Sequence, residues 1–316
     1  MECSHIAVIG AGTMGCGIAA VFAQGGFRVA LTDTDPAALE DAMPRIRAAT
    51  EVCREHGLVG GVEAEAVSER ITPAHTLADA AHRAGFVVEA VVEDLDVKRE
   101  VLRRLEVHCP PRTVIASTTS SFRVVDMAAG LGRPDQFLAT HFWNPPYIVP
   151  VVEVMPGRCT SARSVERTTA LLEAVGKHPV LVRGDVAGFI GNRLQHAMRR
   201  EAIAMVADGI AAPEDVDLIA RLSFGLRLPV VGLLETVDLG GLDLTQAIQN
   251  YLLPDLDRST EPRPLIRDKV ARGELGAKTG QGFYHWPPGR AADVRRQHDE
   301  ALLEMVKWLR DRGLVT

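Results

Sequence analysis

The stretch "HIAVIGAGTMGCG" limits what this chain can fold into more than any other. An apolar run, His5 to Ile9, leads at once into Gly10-x-Gly12-x-x-Gly15, helical periodicity begins inside the motif at Met14, and Thr13 and Met14 are expected to touch the cofactor along with the three glycines. Glycines at this spacing are common in turns, but a strand before and a helix after is the context in which they hold a dinucleotide. Gly10 permits the tight turn, Gly12 lets the backbone approach a pyrophosphate, and Gly15 lets helix and strand pack closely. The helix N-terminus offers free N–H groups and the positive end of its dipole. Asp33 closes the next apolar run, 23 positions after Gly10. A carboxylate there accepts hydrogen bonds from an adenosine ribose and repels a 2′-phosphate, so the expected cofactor is NAD rather than NADP. The alternative is a plain βα turn followed by a surface acid.

The first half of the chain repeats this alternation. "HIAVIG", "RVALTD", "GFVVEAVV", "RTVIAST", "FLATHF", "VPVVEV" and "HPVLVRG" read as strands. Several are apolar throughout, which suits a sheet covered on both faces. "MGCGIAAVFAQG", "PAALEDAMPRIRAATEVCREHG" and "DVKREVLRRLEVH" between them have helical periodicity. The fold class expected is α/β: a mostly parallel, doubly wound, Rossmann-like sheet. The long excursion from Pro36 to about Glu69 is expected to form two helices projecting from that sheet. After "GDVAGFIGNR" the pattern becomes helical throughout, so a boundary is expected near Gly184, with a cofactor domain over 1–184 and an all-α domain over 185–316.

Composition removes several function classes. The net charge of −6 and the lack of a basic run argue against nucleic acid as a partner. No apolar stretch reaches the roughly 18 residues that span a bilayer, and "MECSH" runs directly into a strand with no signal peptide before it. Five scattered cysteines without a CxxC, at 3, 16, 53, 109 and 159, give a reduced, cytoplasmic pattern. The ten histidines show no ligand spacing, so no metal is expected.

Two stretches carry candidate chemistry. "STTSS", Ser117 to Ser121, lies at the carboxyl edge of the sheet, where small hydroxyl residues form turns and N-caps as readily as they bind ligands. In "HFWNPPYIVPVVEV", Glu153 interrupts an apolar strand twelve residues after His141. A lone buried carboxylate is costly unless paired. The strands on either side of "NPP" would bring Glu153 to His141. An imidazole titrates near neutrality and can take a proton from an alcohol as hydride leaves the same carbon. A carboxylate on its other nitrogen would fix the tautomer and stabilise the imidazolium.

Taken together with "GAGTMGCGIA", "VVEAVVEDLDVKREV", "ASTTSSF", "GFIGNRL", "GGLDLT" and "KTGQGFY", these stretches make the chain resemble the L-3-hydroxyacyl-CoA dehydrogenase family over nearly its full length. The resemblance implies an NAD-binding Rossmann domain joined to a helical domain used for homodimerisation. It implies His141 as general base, Glu153 as the residue that orients it, and Ser120 and Asn192 as hydrogen-bond partners of the substrate oxygen. Glu93, Lys98, Asn144 and Lys278 match positions that touch the cofactor, as does Ser120.

The chain departs from the fatty-acid-oxidising members in several places: mildly at Thr118–Thr119, where "NT" is usual, in the bulkier "NPPYIVP", and more tellingly in two others. Where those members carry a lysine and a serine for coenzyme A, it has Ala49 and His56, although Arg45, Arg47 and Arg54 are near enough in sequence to meet a phosphate. "FGLRLPVVGLLE", Phe224 to Glu235, is longer than the matching turn and carries Arg227. Its length and charge look like the branch with gulonate dehydrogenase and λ-crystallin, whose substrates are small free acids. Arg227 would then clamp a substrate carboxylate; otherwise it is a solvated turn residue or pairs with Asp217 or Glu235. The expected activity is NAD-dependent oxidation of a 3-hydroxyacyl-CoA. The same chemistry on a small free β-hydroxy acid is the alternative, and an NADH-binding structural protein a remote one.

Overall fold

The computed structural model describes residues 4–58 and 63–315. They form two compact units, one of the described residues up to 193 together with 301–315, and one of 194–300. The first unit therefore runs nine residues past the boundary expected at Gly184 and takes back the end of the chain.

The first unit is built on one eight-stranded sheet: β1 (His5–Ile9), β2 (Arg28–Thr32), β3 (Ile71–Pro73), β4 (Phe86–Glu89), β5 (Val114–Ser117), β6 (Phe137–Phe142), β7 (Val151–Pro156) and β8 (His178–Leu181). Their order is β3-β2-β1-β4-β5-β6-β7-β8. All neighbours are parallel except β6 and β7, which run antiparallel. The doubly wound, mostly parallel sheet is thus as expected, with one strand more than the seven expected. β3 has only three residues and ends on Pro73, at the edge of the sheet where a missing N–H is tolerated.

Helices α1 (Thr13–Gln24), α2 (Pro36–Glu40), α3 (Ala42–Glu55), α4 (Ala64–Glu69), α5 (Leu77–Ala81), α6 (Leu95–His108), α7 (Val124–Met127) and α8 (Ala162–Ala174) cover the sheet. Side chains alternate between the faces along each strand. Ile6 and Val8 join α1, α3 and α8 residues such as Phe22, Ile46 and Leu172 in one core. Ala7 and Ile9 join Ala80, Leu102, Leu105 and Met127 from α5, α6 and α7 in the other. The excursion after Pro36 does not project as expected. Its helix α3 packs along α1, and Ile46 is fully buried there. Residues 59–62 of that excursion lie outside the described chain.

The order of strands reverses between β1 and β4. In open α/β sheets the crevice at such a switch point, outside the carboxyl ends of the strands, receives ligands.

Helix α9 (Gly191–Ala207) leads into the second unit, followed by α10 (Pro213–Leu222), α11 (Phe224–Arg227), α12 (Leu233–Gly240), α13 (Leu242–Leu252) and α14 (Pro264–Ala271). Helix α15 (Arg290–Asp311) begins in this unit and ends in the first. The second unit is all helical apart from isolated bridges around Gln281. The stretch read as a long turn contains the one-turn helix α11 and the start of α12. The long final helix returns to the first unit, where Leu303 and Val306 bury Ile148. None of the described helices is long and apolar enough to cross a membrane.

Candidate active site

The glycine loop sits where β1 meets α1. Gly10 has φ +110°, and a Cβ there would come within 2.5 Å of the Ala90 carbonyl oxygen. A Cβ on Gly15 would fall 1.8 Å from the Gly10 carbonyl oxygen, so the loop closes onto the helix only because both residues lack one. A Cβ on Gly12 would meet nothing within 4 Å, which leaves that side of its backbone open to a ligand. The first turn of α1 has neither a capping side chain nor an acidic residue, which is what an anion at a helix N-terminus requires. Thr13 is exposed, and Met14 packs partly against the core.

Asp33 follows β2. Its Oδ2 accepts from the Ala11 N–H at 2.6 Å and its Oδ1 from Asp35 N–H at 2.9 Å. These two bonds fix the carboxylate at the rim of a cleft of about 770 Å³ lined by Gly10, Gly12, Asp33, Leu39, His75 and Val91. The cleft lies at the switch point and combines a glycine turn, an uncapped helix start and the carboxylate that follows β2. These residues fit an adenine dinucleotide.

A second group stands at the carboxyl ends of β4 and β5. Lys98, on α6, is buried and donates to Glu89 Oε1 at 2.8 Å and to the Val91 carbonyl at 3.3 Å; Glu93 Oε2 lies 3.4 Å away. Glu89 is fully buried and also accepts from Ser117 Oγ at 2.5 Å and Val91 N–H at 2.9 Å. Glu93 Oε1 gathers the Thr119 hydroxyl at 2.6 Å, the Ser120 N–H at 3.0 Å and the Ser121 N–H and hydroxyl at 3.2 and 2.8 Å. Partial burial would raise its carboxyl pKa. The Thr119 and Ser121 donors and Lys98 outweigh that and hold it below the usual carboxylate value. So the "STTSS" loop is shaped by Glu93. Ser120 is exposed and its hydroxyl has no partner among the described residues, while its carbonyl accepts from Asn192 Nδ2 at 3.0 Å.

His141 and Glu153 face each other directly across the antiparallel β6–β7 pair. His141 Nδ1 lies 2.7 Å from Glu153 Oε2, and both residues are 4% exposed. A carboxylate only accepts, so Nδ1 carries the proton and Nε2 is left without a partner among the described residues. The other carboxylate oxygen, Oε1, accepts from the Ile190 and Gly191 N–H groups at 2.8 and 3.0 Å, at the start of α9. Burial alone would raise the Glu153 carboxyl; the donors from His141, Gly191 and Ile190 outweigh it and hold the group below its usual value. Trp143 and Phe189 pack their rings against the imidazole, with centroids 4.8 and 5.2 Å away. Phe189 is fully buried with φ 54°, a left-handed conformation that costs energy for a side chain of its size. That turn places the next two N–H groups on Glu153.

The first unit thus holds together His141 with Glu153, Ser120 with Asn192, Glu93 with Lys98, and the glycine loop with Asp33. Asn144 is exposed just before a cis bond to Pro145. Lys278 and Arg227 belong to the second unit, both exposed and without a side-chain partner among the described residues. Sequence reasoning did not single out Glu89, Trp143, Phe189 or the two N–H groups on Glu153. Glu89 at the end of an apolar strand was a visible signal of the same kind as Glu153.

Comparison with known proteins agrees with this geometry. The NAD-binding domain of 3-hydroxyacyl-CoA dehydrogenase matches residues 5–186, and its C-terminal domain matches residues 188–286. A probable 3-hydroxybutyryl-CoA dehydrogenase of Bacillus subtilis is 38% identical, covering 90% of this chain and 98% of its own. The L-carnitine dehydrogenase of Streptomyces coelicolor is 39% identical, covering 96% and 94%. Among solved structures, a 5-formyl-3-hydroxy-2-methylpyridine 4-carboxylic acid 5-dehydrogenase, an NAD+-dependent dismutase, superposes with a TM-score of 0.92 at 30% identity, covering 98% of this chain and 99% of that one. The chain belongs to the 3-hydroxyacyl-CoA dehydrogenase family and is an NAD-dependent oxidoreductase.

Proposed function

We propose that the enzyme oxidises the 3-hydroxy group of a 3-hydroxyacyl-CoA to the 3-keto compound, reversibly, with His141 as the general base. The 2.7 Å bond between His141 and Glu153, both buried, is the observation that carries this reading. Nε2 takes the hydroxyl proton while Nδ1–H stays on Glu153, so the imidazolium forms beside a carboxylate already held ionised by two N–H groups. NAD, when bound, accepts the hydride from the carbon that bore that hydroxyl. Ser120 offers its free hydroxyl, and Asn192 its remaining amide capacity, to the substrate oxygen. Glu93 and Lys98 fix the loop that presents Ser120. Asn144 and Lys278 are proposed as cofactor contacts.

A second reading, a small free β-hydroxy acid as substrate, has its own support. Ala49 is buried, and His56 Nδ1 is engaged with the Val52 carbonyl at 2.9 Å. Arg47 donates to Ser68 at 3.2 Å, and Arg54 pairs with Glu51. The excursion therefore offers little to coenzyme A. Arg227 is an exposed guanidinium paired with neither Asp217 nor Glu235: Asp217 takes the Tyr284 hydroxyl and Glu235 the Gly232 N–H. An NAD-coupled panel of 3-hydroxybutyryl-CoA, 3-hydroxybutyrate, gulonate and carnitine separates the readings. The thioester reading expects the highest kcat/KM on the CoA ester. No turnover of any member would overturn both.

The enzyme is proposed to act as a homodimer in the cytoplasm. Among the described residues of 194–300, Ala204 is the only apolar side chain that is fully buried. Leu234, Leu239 and Tyr251 are about four-fifths exposed or more. Apolar surface on this scale marks an interface, and a second copy is the partner the family resemblance implies. The four described cysteines are all free, as a reducing compartment would keep them.

A further inference from the structure

Arg45 stands on the first turns of α3, away from the catalytic pair, yet its guanidinium reaches the glycine loop. Nη1 donates to the Ala11 carbonyl at 3.2 Å and Nη2 to the Thr13 hydroxyl at 3.3 Å. It forms no ion pair with a described carboxylate. The other arginines of the helix behave differently: Arg47 is tied to Ser68 and Arg54 to Glu51. A guanidinium has five N–H donors, and the two bonds to the loop leave the rest of the fork unused.

We propose that Arg45 is a cofactor-binding residue whose guanidinium contacts the pyrophosphate of NAD at the start of α1. The charges at the loop favour this. A pyrophosphate carries two negative charges, and Asp33, bonded to the Ala11 N–H, adds a third close by. Against these, a helix N-terminus supplies the equivalent of roughly half a positive charge. The first turn of α1 has no cationic side chain of its own. Arg45 supplies a full positive charge, held by Ala11 on one side of Gly12 and Thr13 on the other. The space over Gly12 between these anchors is open to at least 4 Å. The guanidinium is partly exposed, so the contact adds to the N–H groups and does not replace them.

The test is binding. Affinities of NADH, ADP-ribose, adenosine, NADPH and coenzyme A are measured by titration calorimetry or competition with the unaltered protein, Arg45→Met, Arg45→Lys and the control Arg47→Met. Arg45→Met is expected to weaken NADH and ADP-ribose alike by about 10–100-fold, the range of one hydrogen bond to a charged group. Adenosine, which lacks the pyrophosphate, should bind as before. Arg45→Lys should recover part of the loss, and Arg47→Met should lose nothing. The salt dependence of NADH binding should also become shallower in Arg45→Met. An equal loss for adenosine would show that Arg45 only props the loop. A loss greatest for NADPH would assign it to a 2′-phosphate, and a loss confined to coenzyme A to that ligand's phosphates. Unchanged NADH affinity would make it a bystander. Any of these four results overturns the proposal. If Arg45→Met fails to fold, Arg45→Lys still decides, because a prop and a phosphate contact differ in the ratio of ADP-ribose to adenosine loss.

Discussion

The role proposed for His141 requires one nitrogen to stay on Glu153 and the other to stay free. His141→Gln should lower kcat by about 10²–10⁴-fold, the usual loss on removing a general base, while NADH still binds with its original affinity. Glu153→Gln should also slow turnover, since a neutral amide does less to stabilise an imidazolium. Near-normal turnover by His141→Gln would sink the mechanism. Asp33→Ser removes the carboxylate that would repel a 2′-phosphate, so the ratio of kcat/KM for NAD over NADP should fall; an unaltered ratio would contradict the assignment of Asp33. Arg227→Met should raise KM for a small hydroxy acid by about 10–100-fold, one charged hydrogen-bonded contact, with NAD affinity unchanged. If the best substrate is a long-chain acyl-CoA that Arg227→Met turns over like the parent enzyme, Arg227 has no part in substrate binding. At this scale the sequence was informative where spacing carries geometry. The twelve-position spacing from His141 to Glu153, with "NPP" between two apolar runs, already implied a facing pair. The φ of Phe189 and the two N–H groups it aims at Glu153 left no such trace, because backbone angles at a buried aromatic are set by tertiary packing.

Among the elements, α6 and the ends of β4 and β5 form one polar unit inside an apolar shell. Lys98 is the buried counter-charge of Glu89. Lys98→Met should cost about 3–5 kcal/mol, because it strands a buried carboxylate and does more than remove a contact. Denaturant unfolding checks this, and a loss under 1 kcal/mol would mean that water reaches Glu89. The double change Lys98→Met with Glu89→Gln should recover part of the loss. Most strands and the long helices were legible, since apolar runs and helical periodicity report burial directly. β3 was not, because three residues ending in proline carry no period. The excursion helix α3 was legible as a helix but not in its placement. Its amphipathic face says that it packs, and α1 as its partner comes only from the fold. Helix α12 was hidden behind the proline and glycine of "LPVVG".

For the whole molecule, the second unit is the part that cannot account for itself alone. With one fully buried apolar side chain among its described residues, it lacks the core that about 100 residues need. The protein should sediment as a dimer at micromolar concentration. Leu234→Glu with Leu239→Glu should shift it toward monomer and lower its thermal midpoint. A monomeric parent protein, or a double variant that sediments as the parent does, would remove the dimer from the proposal. The change from an alternating to a helical pattern after Gly184 was legible, but the return of the last helix was not. Sequence shows where periodicity changes, and nothing local in "ALLEMVKWLRD" names the loop it covers.

That return bears on how the protein is made. The turn between His141 and Glu153 includes Ile148, which is buried in one cluster with Leu303 and Val306, more than 150 residues downstream, with Val52 and Leu58 packed against it. Arg310 of the same helix also donates to the Leu58 carbonyl at 2.9 Å. On the ribosome, the dinucleotide fold can form long before this segment leaves the exit tunnel, but the packing behind its His141–Glu153 turn cannot be completed until then. A nascent chain stalled before residue 300 should therefore retain cofactor while its turn stays unbraced, and turnover should arrive only with the final helix.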